Sequence, residues 1–147
     1  MQAQNKLKEI RIENKVPDPQ SHNKAGVKDF TDLIAWQIAH KIRLKAYEIS
    51  KELPETEKYN LISQLQRSSA SIAANIAEGY GRYSYQENSQ FCRQARGSLD
   101  ETRDHLIFIT ELYSKQGEKA SELIETCKEC RKVLNGYIKY LQENKTK

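Results

Sequence analysis

The stretch Leu61 to Gly79, LISQLQRSSASIAANIAEG, constrains this chain more than any other. Leu61, Leu65, Ser68, Ile72, Asn75, Ile76 and Gly79 recur at the spacing of three and four that keeps one helix face toward a neighbour. Ser69, Ala70, Ser71, Ala73 and Ala74 lie between them and add almost no bulk. A helix of this kind approaches its partners closely. Gln64, Arg67, Asn75 and Glu78 set hydrogen-bonding groups along it, so the pattern predicts a packing element with a polar seam.

The rest of the chain repeats the helical period. A first helix is expected from about Thr31 to Lys51, with Ala35, Ile38, Ile42, Ala46, Ile49 and Leu53 as its apolar stripe. Pro54 ends it, because the residue before a proline avoids the helical region. The second helix is expected to start near Glu55, with Glu55 and Glu57 in its first turn where acids suit the dipole, and to stop at Gly79. Ser84 followed by Glu87 has capping-box spacing and announces a third helix. Its stripe reads Phe91, Ala95, Ser98, Thr102, His105, Ile109 and Leu112, ending near Tyr113. The fourth runs from about Glu118 to Gln142 along Ala120, Leu123, Cys127, Cys130, Leu134, Tyr137 and Leu141. With only 6 Gly and 3 Pro there is too little punctuation for a many-stranded sheet. The expected fold is all-α, an antiparallel up-down-up-down four-helix bundle over 29–142. Residues 1–28 read as a flexible basic tail and 143–147 as a frayed end.

The formal charge of +4 is unevenly placed. The tail holds Lys6, Lys8, Arg11, Lys15, Lys24 and Lys28 against Glu9, Glu13 and Asp18, a net of +3, which leaves the bundle close to neutral. Overall charge therefore does not argue for nucleic acid. No apolar run reaches the roughly 20 residues of a membrane span, and the N-terminus lacks a signal-peptide core. Three cysteines on helical faces point to a reducing cytoplasm, so a cytoplasmic location is expected.

Chemistry-bearing patterns are few. Di-metal bundles need Glu-x-x-His on two helices, and none exists around His22, His40 or His105. Cys127 and Cys130 have C-x-x-C spacing but fall mid-helix on the apolar stripe, which reads as core. Gly79-Tyr80-Gly81 has neither the lysine nor the preceding strand of a phosphate loop. No catalytic, cofactor or metal residue is expected. Arg82, Arg93, Arg96 and Arg103 gather on the loop and third helix with Tyr83 and Tyr85, a set suited to phosphates and stacked bases. Interleaved Glu78, Glu87, Asp100, Glu101 and Asp104 offer the same arginines partners within or between subunits. Trp36, the tyrosines and the small-residue face exceed what one thin bundle needs, which points to a homo-oligomer.

The residues Phe30, Asp32-Leu33, Trp36, Leu53-Pro54, Glu57, Tyr59, Leu61, Gln64, Arg67, Ser71-Ile72 and Asn75-Ile76-Ala77-Glu78-Gly79 form a recognisable pattern. Phe91, Ala95, Gly97-Ser98 and Glu101 continue it. Over about 29–141 it resembles the 23S rRNA-intervening-sequence protein family, also called the four helix bundle protein family. The resemblance implies a ring-like homopentamer of four-helix bundles with no catalytic residues. Some members of that family are encoded within intervening sequences of 23S rRNA genes. More distant relatives resemble basic pentamers that bind nucleic acid and a reverse transcriptase. The packing and oligomer seam expected from the match comprises Trp36, Gln64, Arg67, Ser71, Asn75, Glu78 and Gly79, with Trp36 anchoring the first helix. RNA or a nucleoprotein is the expected partner. The alternative is a protein–protein adaptor that docks a neighbour-encoded protein without touching nucleic acid.

Overall fold

The computed structural model describes residues 27–144. The proposed basic tail thus lies almost wholly outside the described residues. Four helices account for most of the rest: α1 (Ile34–Lys51), α2 (Leu61–Tyr80), α3 (Tyr85–Leu112) and α4 (Gly117–Glu143). Single 3-10 turns precede α1 (Phe30–Asp32), α2 (Glu55–Glu57) and α4 (Ser114–Gln116), and no strand occurs among the described residues. Consecutive helices pack on one another, and α1 closes against α4. With connections this short the helices must alternate in direction, which is the expected four-helix bundle.

The α1 and α4 stripes sit in the core as expected. Ala35, Ile38, Ile42, Ala46, Ile49 and Leu53 are buried, as are Ala120, Leu123, Cys127, Cys130, Leu134, Tyr137 and Leu141. The α3 stripe is turned from its expected position. Cys92, Leu99 and Leu106 join Ala95, Thr102 and Ile109 in the interior. Phe91, Ser98 and His105 are only partly buried and Leu112 is exposed. The heptad neighbours Cys92, Leu99 and Leu106 are one residue beyond Phe91, Ser98 and His105. Both sets satisfy the period, and the more apolar one wins the centre.

The ends of α2 also differ from expectation. Glu55 and Glu57 form their own 3-10 turn, and the helix proper begins at Leu61. Glu57 acts on α2 from outside. Its Oε2 accepts from the Leu61 backbone N–H at 3.2 Å, and its Oε1 accepts from the Tyr113 hydroxyl at 2.9 Å. One carboxylate thus caps α2 and ties it to the α3–α4 turn. At the other end Gly79 does not stop the helix, which continues to Tyr80. Its smallness serves packing: an added Cβ would lie 2.7 Å from Asn88 Oδ1 and 2.9 Å from Phe91 Cβ. Ser84 caps α3, its hydroxyl accepting from the Glu87 N–H at 3.2 Å.

Candidate nucleic-acid interface

The α2–α3 contact carries the polar seam. Going up α2 and down α3, Arg67 Nη2 donates to Glu101 Oε1 at 2.7 Å. Thr102 Oγ1 lies 3.0 Å from Ser68 Oγ and donates to the Ser98 carbonyl at 2.8 Å. Ser98 donates to Ser71 Oγ at 3.1 Å, and Gly79 closes on Asn88. Hydroxyls pair with hydroxyls, so this interface leaves few polar groups unmet while the backbones approach. Asn75 stays within its own helix, donating to the Ser71 carbonyl and hydroxyl at 2.8 and 3.0 Å. Gln64 is exposed and reaches only Asn60, at 3.3 Å. Glu78 accepts from Arg82 at 2.7 Å. Trp36 is half-buried, stacked on His40 at 4.8 Å and met edge-on by Phe30 at 5.3 Å, so its ring contacts lie on α1 and its lead-in.

The arginines and tyrosines do not form one cluster. Arg82 holds Glu78 and lays its guanidinium 4.7 Å over the Phe91 ring, while Tyr83 is fully exposed at the turn. Tyr85 turns inward and meets the Tyr140 ring at 6.0 Å. Arg93, Arg96 and Arg103 run down α3 instead. Arg96 donates to Asn135 of α4 at 2.9 Å, and Arg131 of α4 reaches back to Asp100 through Nε and Nη2 at 3.0 and 3.3 Å. Arg103 is part-buried beside Cys127, and its Nε finds no hydrogen-bond partner among the described residues.

These cross-links fix which part of α4 faces the arginines. Lys128, Lys132, Asn135 and Lys139 recur at four, three and four residues along α4. Asn135 already touches Arg96, and the three lysines are exposed. The α3–α4 face therefore carries Arg93, Arg96, Arg103, Lys128, Arg131, Lys132 and Lys139. Asp100 is engaged by Arg131, Glu125 by Lys128 at 2.9 Å, and Glu143 lies 3.9 Å from Lys139. The net result is a basic strip on a chain whose described part is neutral overall, so the remainder of that part is net acidic. The α4 lysines were missed in the sequence because their adjacency to α3 depends on helix register. Their four-three-four spacing was the signal available.

The chain matches the family model described as 23S rRNA-intervening sequence protein over residues 31–136. That span takes in all of α1, α2 and α3 and most of α4. The chain belongs to the 23S rRNA-intervening sequence protein family. In this member of the family the cysteines are core residues. Cys92, Cys127 and Cys130 are buried and unpaired with one another, and burial pushes the Cys92 and Cys127 thiols up to about 12. Thiols so held are poor nucleophiles and poor metal ligands. Among the described residues no group of three potential metal ligands comes together, and no helix is long and apolar enough to cross a membrane.

Proposed function

We propose that this bundle is a non-enzymatic, homo-oligomeric scaffold that binds RNA or a nucleoprotein through the α3–α4 face. The observation that carries the reading is the row Lys128, Lys132 and Lys139 beside Arg93, Arg96 and Arg131. Eleven residues of α4 span about 16 Å, long enough to follow several phosphates of a backbone. Phosphate contacts supply affinity and little sequence choice, which suits a face with no deep pocket. A ring of five subunits, as the sequence resemblance implies, would repeat the strip and multiply a weak contact by avidity.

The test is salt-dependent binding of a labelled structured RNA fragment, read by fluorescence anisotropy between 50 and 200 mM salt. Replacing Lys128, Lys132 and Lys139 by Gln should weaken binding about equally for unrelated RNAs and reduce the slope of log K against log salt by roughly 2–3. The three side chains are exposed, so the fold should stand. Wild-type protein that ignores RNA at 50 mM salt refutes the reading.

A protein adaptor is the second reading, favoured by one feature. Ile107, Phe108 and Leu112 are all exposed near the end of α3, a grouping of large apolar side chains that water does not favour. Docking there would be nearly indifferent to salt.

A further inference from the structure

Two groupings of large apolar side chains stand in water on opposite corners of the bundle. Leu44 and Tyr47 of α1 are 40% and 42% exposed, and Phe108 and Leu112 of α3 are 48% and 53% exposed, with Ile107 beside them. A single exposed leucine or tyrosine is ordinary, whereas a grouping marks a surface built to be covered. Each of α1 and α3 packs on α2 and α4, so the two helices are diagonal and neither patch can cover the other within one subunit. Both patches lie at the same level. Gln116, just past α3, donates to the carbonyl of Glu52, just past α1, at 3.2 Å. Tyr47 and Phe108 each stand four residues before the last residue of their helix.

The charges around the two patches are opposite. Lys41, Arg43, Lys45 and Lys51 accompany Leu44 and Tyr47 against Glu48 alone, and Glu48 is held by Lys45 at 3.4 Å. Residues 104–112 hold Asp104 and Glu111 and no lysine or arginine. Lys41, Lys51 and Glu111 form no ion pair among the described residues, and the charged neighbour of Asp104 is His105, with Nδ1 at 3.9 Å. One apolar patch is thus rimmed by bases and the other by acids, which makes them complementary between two copies of the chain. The acids also turn a phosphate backbone away from the α3 patch.

We propose that the α3 patch of one subunit docks on the α1 patch of a second copy, with the two helices parallel. The proposal rests on the homo-oligomeric reading above and names its contact. Tyr47 then comes level with the partner subunit's Phe108, and Lys51 lies within one residue's rise, about 1.5 Å, of the partner subunit's Glu111. The contact joins two different surfaces, so it is heterologous and leaves a free patch at each end until the set closes. Two observations favour a closed ring over an open filament. The patches share one level, so the step from copy to copy has little rise along the bundle. Both also lean toward α2. Tyr47 lies one turn before Ser50, which accepts from Gln66 of α2 at 2.9 Å. Leu112 continues the face of Ser98, which meets Ser71 of α2 at 3.1 Å. Patches inclined to one side turn successive copies the same way, with α2 inside the ring and the α3–α4 basic strip left uncovered.

Light scattering on the full chain tests it, with a subunit of 17.0 kDa as the ruler. The wild type should weigh three subunits or more. Tyr47→Asp and Phe108→Asp should each reduce the mass to one subunit, with helix content by circular dichroism unchanged because both side chains are exposed. Mixed one to one, these two variants should form particles of two subunits, since each supplies the patch the other lacks. Lys51→Glu should raise the concentration at which the assembly dissociates by roughly tenfold, and adding Glu111→Lys to the same chain should restore it. A wild type of one subunit removes the homo-oligomer and this contact with it. A wild type of two subunits overturns the head-to-tail contact. A larger wild type that ignores both aspartate substitutions overturns the contact, leaves the homo-oligomer standing and frees the α3 patch for a different protein. A mixture that stays at one subunit, or a charge exchange that restores nothing, overturns the pairing of these two patches.

Discussion

Gly79→Ala and Gly97→Ala are the same chemical change in two helix interiors, and the structure assigns them opposite signs. In an exposed helix, alanine gains about 1 kcal/mol over glycine from backbone entropy. Gly97 should collect most of that, since its Cβ would meet nothing within 4 Å. At Gly79 the same Cβ would sit 2.7 Å from Asn88 Oδ1, 2.9 Å from Phe91 Cβ and 3.0 Å from the Asn88 carbonyl. Two of these are not the loose ends of side chains, so α3 must move away from α2. Such overpacking costs about 1–3 kcal/mol. Displacing Asn88 also strains its 3.0 Å bond to the Tyr137 hydroxyl, worth about 1 kcal/mol. After the propensity gain, Gly79→Ala should be destabilised by about 1–3 kcal/mol, a fall in Tm of roughly 3–10 °C for a domain of this size. Denaturant unfolding of both variants at one dilute protein concentration measures the difference. A Gly79→Ala protein as stable as the wild type would refute the view that this glycine sets the α2–α3 distance.

Asn88→Leu removes a buried partner of Tyr137 and Cys92 and should cost about 2–3 kcal/mol, read as a shifted midpoint in the same assay. Burial also holds the Cys92 and Cys127 thiols near 12, against an ordinary value of 9.0. The folded state therefore keeps protons that the unfolded chain releases above pH 9. Stability from these groups is fully present below pH 9 and is lost between about pH 9 and 12, which base titration of the unfolding free energy should show. At pH 8 a thiol reagent should label the folded protein only as fast as it opens, and rapid stoichiometric labelling would contradict the buried placement. Arg131→Ala breaks a largely exposed pair with Asp100 and should change stability by less than about 1 kcal/mol.

The bundle was legible in the sequence because α1 and α4 each present one unambiguous apolar stripe. On α3 two stripes one residue apart compete, and Ser98 and His105 made the more polar one look plausible. The deciding fact was Leu99 and Leu106, which need a dry site more than a serine or histidine does. Gly79 misled as a stop signal because glycine serves both helix ends and close approaches, and only the position of Asn88 separates the two uses. For the candidate site, the α3 arginines could be read directly. Their separation from Tyr85, and their junction with the α4 lysines, depend on contacts between residues some thirty to forty apart, such as Arg96 with Asn135. Spacing within one helix does not carry that information.

An even number of alternating helices brings Val27 and Asn144, the ends of the described chain, out at the same pole of the bundle. The turns at 52–60 and 113–117 occupy the other. A short linker joining the two ends, with new termini opened between Ser114 and Gln116, would reorder the helices without reversing any of them. Such a permuted chain should keep the same core, and it would move any fused reporter from one pole to the other.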